Sequence, residues 1–117
     1  MSDGAECLFC RIVAGEVPAD VLASDDDTIA FRDIAPAAPV HVLVVPRRHI
    51  DSAAALTSGD GGVLAALFSA ARQVAGTEGI DQSGYRLVFN VGEDALNSVP
   101  HLHLHVLGGR RFGWPPG

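Results

Sequence analysis

Three histidines stand at alternate positions in the segment 98–109, SVPHLHLHVLGG: His101, His103 and His105. In a β-strand, alternate side chains lie on one face, about 6.6–7 Å apart. The three imidazoles would then share a face, and the apolar residues between them would fill the other. Imidazole can ligate a metal, move a proton or attack an electrophile, so this segment is the first candidate for chemistry.

Three interpretations of this histidine face are open. It could be the polar face of a half-buried strand, where threonine, lysine or glutamate is more usual. It could hold a catalytic zinc ion through His-x-His and a third ligand. It could also catalyse attack on phosphorus, with one neutral imidazole as nucleophile and the others as hydrogen-bond donors. Asn90, Ser98 and His41 offer further hydrogen bonds, and the segment 95–109 holds no carboxylate to serve as base or ligand.

The two cysteines, Cys7 and Cys10, have C-x-x-C spacing. They could be small buried residues, a redox pair, or half of a zinc site. Because a second C-x-x-C is lacking, a zinc ion would need histidine ligands, for which His49 and His101 are the candidates. His101 would then be a structural ligand, and His103 and His105 would remain for catalysis.

The composition limits the classes of function. The chain has 117 residues, 48% of them hydrophobic, which predicts a single globular domain over 1–117. The eight basic residues are all arginines and the net charge is −6, which is unfavourable for binding long nucleic acids. The lack of lysine excludes a Walker-type phosphate loop and Schiff-base catalysis. With no apolar run of about 20 residues and no basic, apolar leader, we expect no membrane association and a cytoplasmic location.

The helices and strands that must position these residues can be predicted from the sequence, and together they indicate an α+β fold. Helical spacing appears in LFCRIVAGE (8–16) and, more strongly, over 60–78, and one or two short helical turns are predicted in 49–58. Strands are predicted within 19–34, as a pair around the acidic turn 25–27, and at 41–46, 85–91 and 101–107. Since strands and helices do not alternate regularly, an antiparallel five-stranded sheet with one long and one short helix is expected.

The pattern His-φ-His-φ-His-φ-φ, with φ apolar, is matched at every position by HLHLHVL (101–107). It is the signature of the histidine triad (HIT) family. FRDIAPAAPVHVLVVPRRHI (31–50), GYRLVFNVG (84–92) and SVPHLHLHVLGGRRFGWPPG (98–117) resemble the Hint branch of that family, the nucleoside phosphoramidases. The resemblance covers nearly the whole chain in order.

This resemblance implies a fold and a mechanism. The HIT-like sheet would join that of a second subunit into one continuous sheet in a homodimer. His103 would attack the α-phosphorus of a purine nucleoside 5'-phosphoramidate and form a nucleotidyl-histidine that water hydrolyses. His105 would hydrogen-bond the phosphate, while Ser98 and Asn90 would hold phosphate or leaving group. His41, a further hydrogen-bonding side chain, completes the catalytic candidates.

The resemblance also implies binding residues for a purine nucleotide of the AMP or GMP type. Asp33 would accept both ribose hydroxyls. Trp114, in the tail, would reach the active site of the partner subunit. Catalysis would need no cofactor, but a structural zinc ion would be held by Cys7, Cys10, His49 and His101. The purine slot would consist of six apolar side chains: Phe9, Ile12, Val17, Phe31, Ile34 and Leu43.

Other functions stay open at this point. The same step could cleave dinucleoside polyphosphates or adenylyl sulfate, although the tail GRRFGWPPG (109–117) is not that of the dinucleoside branch. The chain could also be a nucleotide-binding interaction protein with little catalysis. The choice between adenosine and guanosine, and the leaving group, are not fixed by these residues.

Overall fold

The computed structural model describes residues 7–117, which contain two α-helices and five strands. Residues 1–6 of the predicted domain lie outside the described part. Neighbouring strands are all antiparallel, in the order β1-β2-β3-β5-β4. The predicted α+β fold is confirmed. The elements are α1 (Leu8–Val13), β1 (Val21–Ser24), β2 (Thr28–Arg32), β3 (Val40–Pro46), α2 (Gly61–Thr77), β4 (Tyr85–Val88) and β5 (Leu104–Gly108).

The long helix α2 covers one face of the sheet. Its buried residues, which include Leu67, Ala71 and Val74, recur at three- and four-residue spacing and form one apolar stripe. The helix ends just before Gly79, whose φ of +74° is easily adopted only by glycine. Within the described residues, neither helix is long and apolar enough to cross a membrane.

The central strand β3 separates two apolar clusters. Val42 and Val44 belong to the cluster under α2, whereas Leu43 and Val45 belong to a second cluster on the opposite face. Because successive side chains of a strand point to opposite faces, a strand covered on both faces is apolar throughout. The short helix α1 covers the second face through Phe9. The candidate residues His103 and His105 lie on this second face, where His103 contacts Phe9 and His105 pairs with Leu43.

The strand β5 begins later than the predicted strand 101–107. The main-chain N–H of His101 donates to the carbonyl of Val99 (2.9 Å), and that of Leu102 donates to the carbonyl of Ile50 (2.6 Å). These groups are therefore used outside the sheet ladder, which starts only at Leu104. The alternation of faces nevertheless continues, because Leu102, Leu104 and Val106 all join the cluster under α2. Similarly, β4 ends at Val88 rather than at residue 91.

Candidate active site

A cleft of about 350 Å³ opens on the face of the sheet that α1 covers. It brings together residues that are far apart in the chain. Trp114, His41 and the four predicted zinc ligands do not line it. The predicted site residues that do are Phe9, Ile12, Val17, Phe31, Asp33, Ile34, Leu43, Asn90, Ser98, His103 and His105.

One half of the cleft is apolar and adjoins the histidines directly. Phe9 and Phe31 are buried and meet edge to face, with ring centroids 5.4 Å apart. Phe9 also contacts the ring of His103 edge to face, at 5.0 Å. Ile34 differs from the other slot residues because it is 98% exposed and lies at the rim. An aromatic ring in the slot would therefore place its attached groups beside the histidines.

Leu96 is a second exposed apolar side chain at the rim, which the sequence reading missed. It is 85% exposed and lines the cleft. Its φ of +62° is the one left-handed backbone conformation of a non-glycine residue in 7–117. Such a conformation costs about 1–2 kcal/mol for most L-residues. A leucine at a left-handed position has no periodic or spacing signature, so no signal in the sequence could have found it.

The tautomer of His103 is fixed by the main chain. Its Nδ1 lies 2.7 Å from the carbonyl oxygen of His101. A carbonyl can only accept, so Nδ1 carries the hydrogen and donates it. In the neutral ring, the Nε2 lone pair is then available for attack on an electrophile.

Neutral His105 carries its hydrogen on the other ring nitrogen, Nε2. The backbone N–H of Ala37 donates to Nδ1 of His41 (2.9 Å), so neutral His41 carries its hydrogen on Nε2. That Nε2 lies 2.9 Å from Nδ1 of His105 and donates to it. His105 must then carry its own hydrogen on Nε2. Burial, followed by the nearby His103 and His41, lowers the pKa of His105 to about 4, and burial lowers the pKa of His41 against the opposing effect of Asp33.

The rings of His103 and His105 are in contact, with centroids 5.0 Å apart. The neutral tautomer of His103 thus has an open Nε2 lone pair, and it lies beside the Nε2–H donor of His105 in the same cleft. This pair suits attack on an electrophile whose oxygens gain negative charge.

Polar side chains of the cleft surround this pair. Nδ2 of Asn90 lies 3.5 Å from Nε2 of His105. Both nitrogens are donors in this tautomer, so the two side chains do not hydrogen-bond to each other. Ser98 is exposed and lines the cleft. Asp33 accepts the N–H of Ala35 on Oδ1 (2.8 Å), while its Oδ2 lies 3.4 Å from Nε2 of His41. The second carboxylate oxygen can therefore still accept hydrogen bonds from a ligand.

Cys7, Cys10, His49 and His101, here called the Cys/His cluster, meet beneath α1. Their donor atoms all lie within 4.8 Å of one another. Nδ1 of His101 is 3.3 Å from both sulfur atoms, and Nδ1 of His49 is 3.1 Å from the sulfur of Cys10. Tetrahedral zinc with ordinary bond lengths separates its sulfur and nitrogen ligands by roughly 3.5 Å. The donor set and its spacing fit a structural zinc ion.

The second ring nitrogens of the two cluster histidines are held away from that centre. Nε2 of His101 donates to the carbonyl of Pro46 (2.9 Å), and Nε2 of His49 donates to the carboxylate of Asp51 (2.7 Å). Each histidine therefore turns an Nδ1 lone pair toward the cysteines. Carboxylate and carbonyl partners of this kind orient metal-binding histidines. Asp51 was missed from the sequence, although its position two residues after His49 was a weak signal.

The three alternating histidines do not converge on one metal. Among the described residues, His101 groups with the Cys/His cluster, whereas His105 groups with His41 and Asp33. The hydrogen bonds from Ala37 to His41 and from His41 to His105 already account for the second group. A catalytic zinc on the three histidines is therefore not supported by the geometry.

Comparison with known proteins identifies the family and the fold of this chain. The sequence profile of the HIT domain matches residues 14–112. An uncharacterized HIT-like protein of Synechococcus elongatus is 42% identical over 112 residues, which are 96% of this chain and 97% of that protein. The crystal structure of a HIT family hydrolase from Legionella pneumophila is 47% identical with a TM-score of 0.93, covering 95% of this chain and 99% of the other.

A more distant structure is that of the histidine triad nucleotide-binding protein of Candida albicans. It is 28% identical with a TM-score of 0.80, over 95% of this chain and 84% of the other. The fold, with its histidine segment on the covered face of an antiparallel sheet, defines an α+β protein of the histidine triad type. The chain belongs to the HIT domain family.

The lowered pKa of His105 predicts a loss of stability in acid. Its ordinary pKa of 6.5 in the unfolded chain lies above the folded value of about 4, so the unfolded state takes up the proton first. Stability is then fully present above about pH 6.5 and is lost as the pH falls toward 4. After allowance for solvent screening, His105 should contribute about 2 kcal/mol to this loss.

Urea unfolding of wild type and His105→Asn at pH 7, 5.5 and 4.5 measures this contribution. The variant should lose less free energy of unfolding than wild type between pH 7 and 4.5. Acid release of a metal from the Cys/His cluster would affect both proteins alike, so the difference isolates His105. An equal loss in both proteins would contradict the assigned burial of a neutral imidazole.

Proposed function

We propose that the protein is a nucleotidyl hydrolase of the Hint type, which cleaves purine nucleoside 5'-phosphoramidates or related nucleotidyl bonds. One observation carries this proposal: His103, with an Nε2 lone pair, and His105, with an Nε2–H, line the same cleft side by side. The apolar half of the same cleft suits a nucleobase. The similar protein of Legionella pneumophila is named a hydrolase, and that of Candida albicans is named a nucleotide-binding protein. Both names support a hydrolase that acts on nucleotides.

The chemistry proceeds in two displacements. Nε2 of His103 attacks the α-phosphorus, a P–N bond to the histidine forms, and the bond to the leaving amine breaks as the amine takes up a proton. Water then attacks the phosphorus, the bond to His103 breaks, and a nucleoside monophosphate is released with loss of a proton. His105 donates its Nε2–H to a phosphoryl oxygen in both steps, where negative charge develops.

The remaining cleft residues bind the nucleotide. The purine lies between the apolar side chains near Phe9 and Phe31, and Asp33 accepts the ribose hydroxyls through its carboxylate. Ser98 and Asn90, at the histidine end, hold the phosphate or the leaving group. Catalysis requires no metal in this proposal, because the nucleophile is an imidazole and the donors are N–H groups.

The covalent step is tested by intact mass spectrometry of protein quenched during turnover of adenosine 5'-phosphoramidate. Wild type should gain the mass of one adenylyl group. His103→Ala should gain none, should lose at least about a thousandfold in kcat, and should still bind AMP, because only the nucleophile is removed.

Wild type incubated with AMP alone is the control, since AMP carries no leaving amine. Substrate turnover without an adduct, or an adduct that persists in His103→Ala, would contradict the mechanism. AMP binding by wild type without turnover of any phosphoramidate would instead indicate a nucleotide-binding interaction protein.

We further propose that the Cys/His cluster holds a structural zinc ion. His101 would be both a ligand and the residue whose carbonyl accepts from His103. Cys7 and His101 are buried, so the metal would join α1 to the start of the catalytic segment beneath the surface. The zinc ion would thus stabilise the site without contacting substrate.

Elemental analysis of the purified protein should give one zinc per chain. Cys10→Ser should lose the zinc and should have a lower melting temperature, because the three remaining ligands would be left without the metal. Asp51→Asn should keep all four ligands but weaken zinc affinity about 10- to 100-fold, as expected for loss of an orienting carboxylate. Wild type that is free of zinc, or Cys10→Ser with unchanged zinc content and stability, would exclude the metal.

A homodimer is the third part of the proposal. β4 is an edge strand of the sheet, half-buried along its length. Phe68 on α2 lies beside it, is 42% exposed, and meets Phe89 edge to face. Two copies joined along this edge would form one continuous sheet. Trp114 is 84% exposed and lies outside the cleft of its own chain, which supports a contact with the cleft of the partner.

Light scattering after size-exclusion chromatography tests the dimer. Wild type should have the mass of two chains, and Phe68→Arg should have the mass of one, because a charge would be buried at the interface. Val21→Arg is the matched control, since Val21 is 46% exposed on β1, the opposite edge. A monomeric wild type, or dissociation only in Val21→Arg, would overturn this arrangement.

A further inference from the structure

Arg110 joins the tail after β5 to the loop between β2 and β3. Its Nη2 donates to the carbonyl of Ala37 (3.1 Å). The same guanidinium lies 4.3 Å from the ring centroid of Phe112, and Arg86 lies 4.9 Å from that ring. The stacking limits the orientations that Arg110 can adopt, so its donor remains directed at Ala37.

Ala37 uses its other main-chain group on a histidine. Its N–H donates to Nδ1 of His41 (2.9 Å), while its carbonyl accepts from Arg110. One residue therefore connects the exposed tail with a buried imidazole. Neither contact depends on the alanine side chain.

A second contact holds the loop against the tail. Gly109 has a φ of +88°, and a Cβ there would come within 2.9 Å of Cβ of Pro39. Only glycine allows the tail to approach the loop this closely without displacing it. The backbone at Ala37 is thus fixed on one side by Arg110 and on the other by Pro39 against Gly109.

The direction of the Ala37 hydrogen bond determines the tautomer of two histidines. If His41 carried its hydrogen on Nδ1, two donors would face each other at 2.9 Å. Its Nε2 would then accept from His105, and neutral His105 would turn a lone pair, rather than an N–H, toward the cleft. Such a lone pair would repel a phosphoryl oxygen.

We propose that Arg110 and the backbone N–H of Ala37 are positioning groups that select the Nε2–H tautomer of His41 and, through it, of His105. The inference rests on the proposed function for its catalytic consequence, whereas the tautomer itself is a property of the protein without substrate. Arg110 acts only through Ala37 and touches no reacting atom.

Two-bond ¹H–¹⁵N correlation spectra of the zinc-replete protein without substrate distinguish the two tautomers of each neutral histidine. Wild type at pH 7.5 should show the Nε2–H form for His41 and His105. Arg110→Gln should show a mixture of tautomers at both residues. Its kcat should fall about fivefold, the factor that corresponds to the loss of one ordinary hydrogen bond. Arg110→Lys, which retains a donor, should recover part of both effects.

Two further variants separate this role from general stability. Ala37→Pro lacks the N–H and should populate the Nδ1–H form most, whereas Ala37→Gly keeps the N–H and should resemble wild type. Arg111→Gln removes the neighbouring charge and should leave both the tautomers and kcat unchanged.

An Nδ1–H form of His41 in wild type, or unaltered tautomers in Arg110→Gln, would overturn the inference even if Ala37→Pro fails to fold. Wild type with the expected tautomers but without phosphoramidate turnover would leave the tautomer assignment standing and reject the proposed function instead.

Discussion

The hydrogen bond from Nδ1–H of His103 to the carbonyl of His101 is the contact on which the site depends. It is 2.7 Å long and leaves Nε2 of His103 as the basic nitrogen. The carbonyl is available because the main chain at 101–103 lies outside the sheet ladder, which begins at Leu104. In a strand that was regular from residue 101, the same carbonyl could have been used in a hydrogen bond of the sheet ladder instead.

The position of that carbonyl is in turn fixed by the side chain of His101. This side chain is fully buried, bonded to the carbonyl of Pro46 on one nitrogen and directed at the two cysteines by the other. Burial also lowers its pKa, which favours the neutral ring with a lone pair on Nδ1. His101 therefore joins the Cys/His cluster to the candidate nucleophile: its ring faces the two cysteines, and its carbonyl accepts from His103.

The register of β3 and β5 supplies the second half of the site. Leu43 pairs with His105, and His41 pairs with Leu107, so His41 and His105 are diagonal neighbours on one face. Their contact at 2.9 Å follows from this register. The sheet thus presents a donor from His105 beside a lone pair from His103, and α1 closes the apolar half of the cleft above them.

Much of this arrangement follows from local patterns. The strand alternation in 101–107 separates histidines from leucines, and the spacing in 60–78 defines α2 almost to the residue. The C-x-x-C pair and the family resemblance predicted Cys7, Cys10, His49 and His101 as one group, and the structure brings these four side chains together. The start of β5 at Leu104 could not be predicted, since it depends on the distant carbonyl of Ile50.

The groups that determine the tautomers were also beyond the sequence. The N–H of Ala37 acts through the main chain, which carries no side-chain signature. Arg110 is one of several exposed arginines, and its contacts with Ala37 and Phe112, which the structure shows, have no signature in the sequence. The left-handed conformation of Leu96 likewise arises from the loop as a whole.

The central claim is that Nε2 of His103 is the atom that accepts the nucleotidyl group. The most direct test is a ³¹P–¹⁵N correlation spectrum of ¹⁵N-histidine-labelled protein, quenched in alkali during turnover of adenosine 5'-phosphoramidate. The account predicts one phosphorus bonded to Nε2 of His103. A bond to Nδ1 of His103, to either nitrogen of His105, or no phosphorus–nitrogen bond to the protein would contradict it.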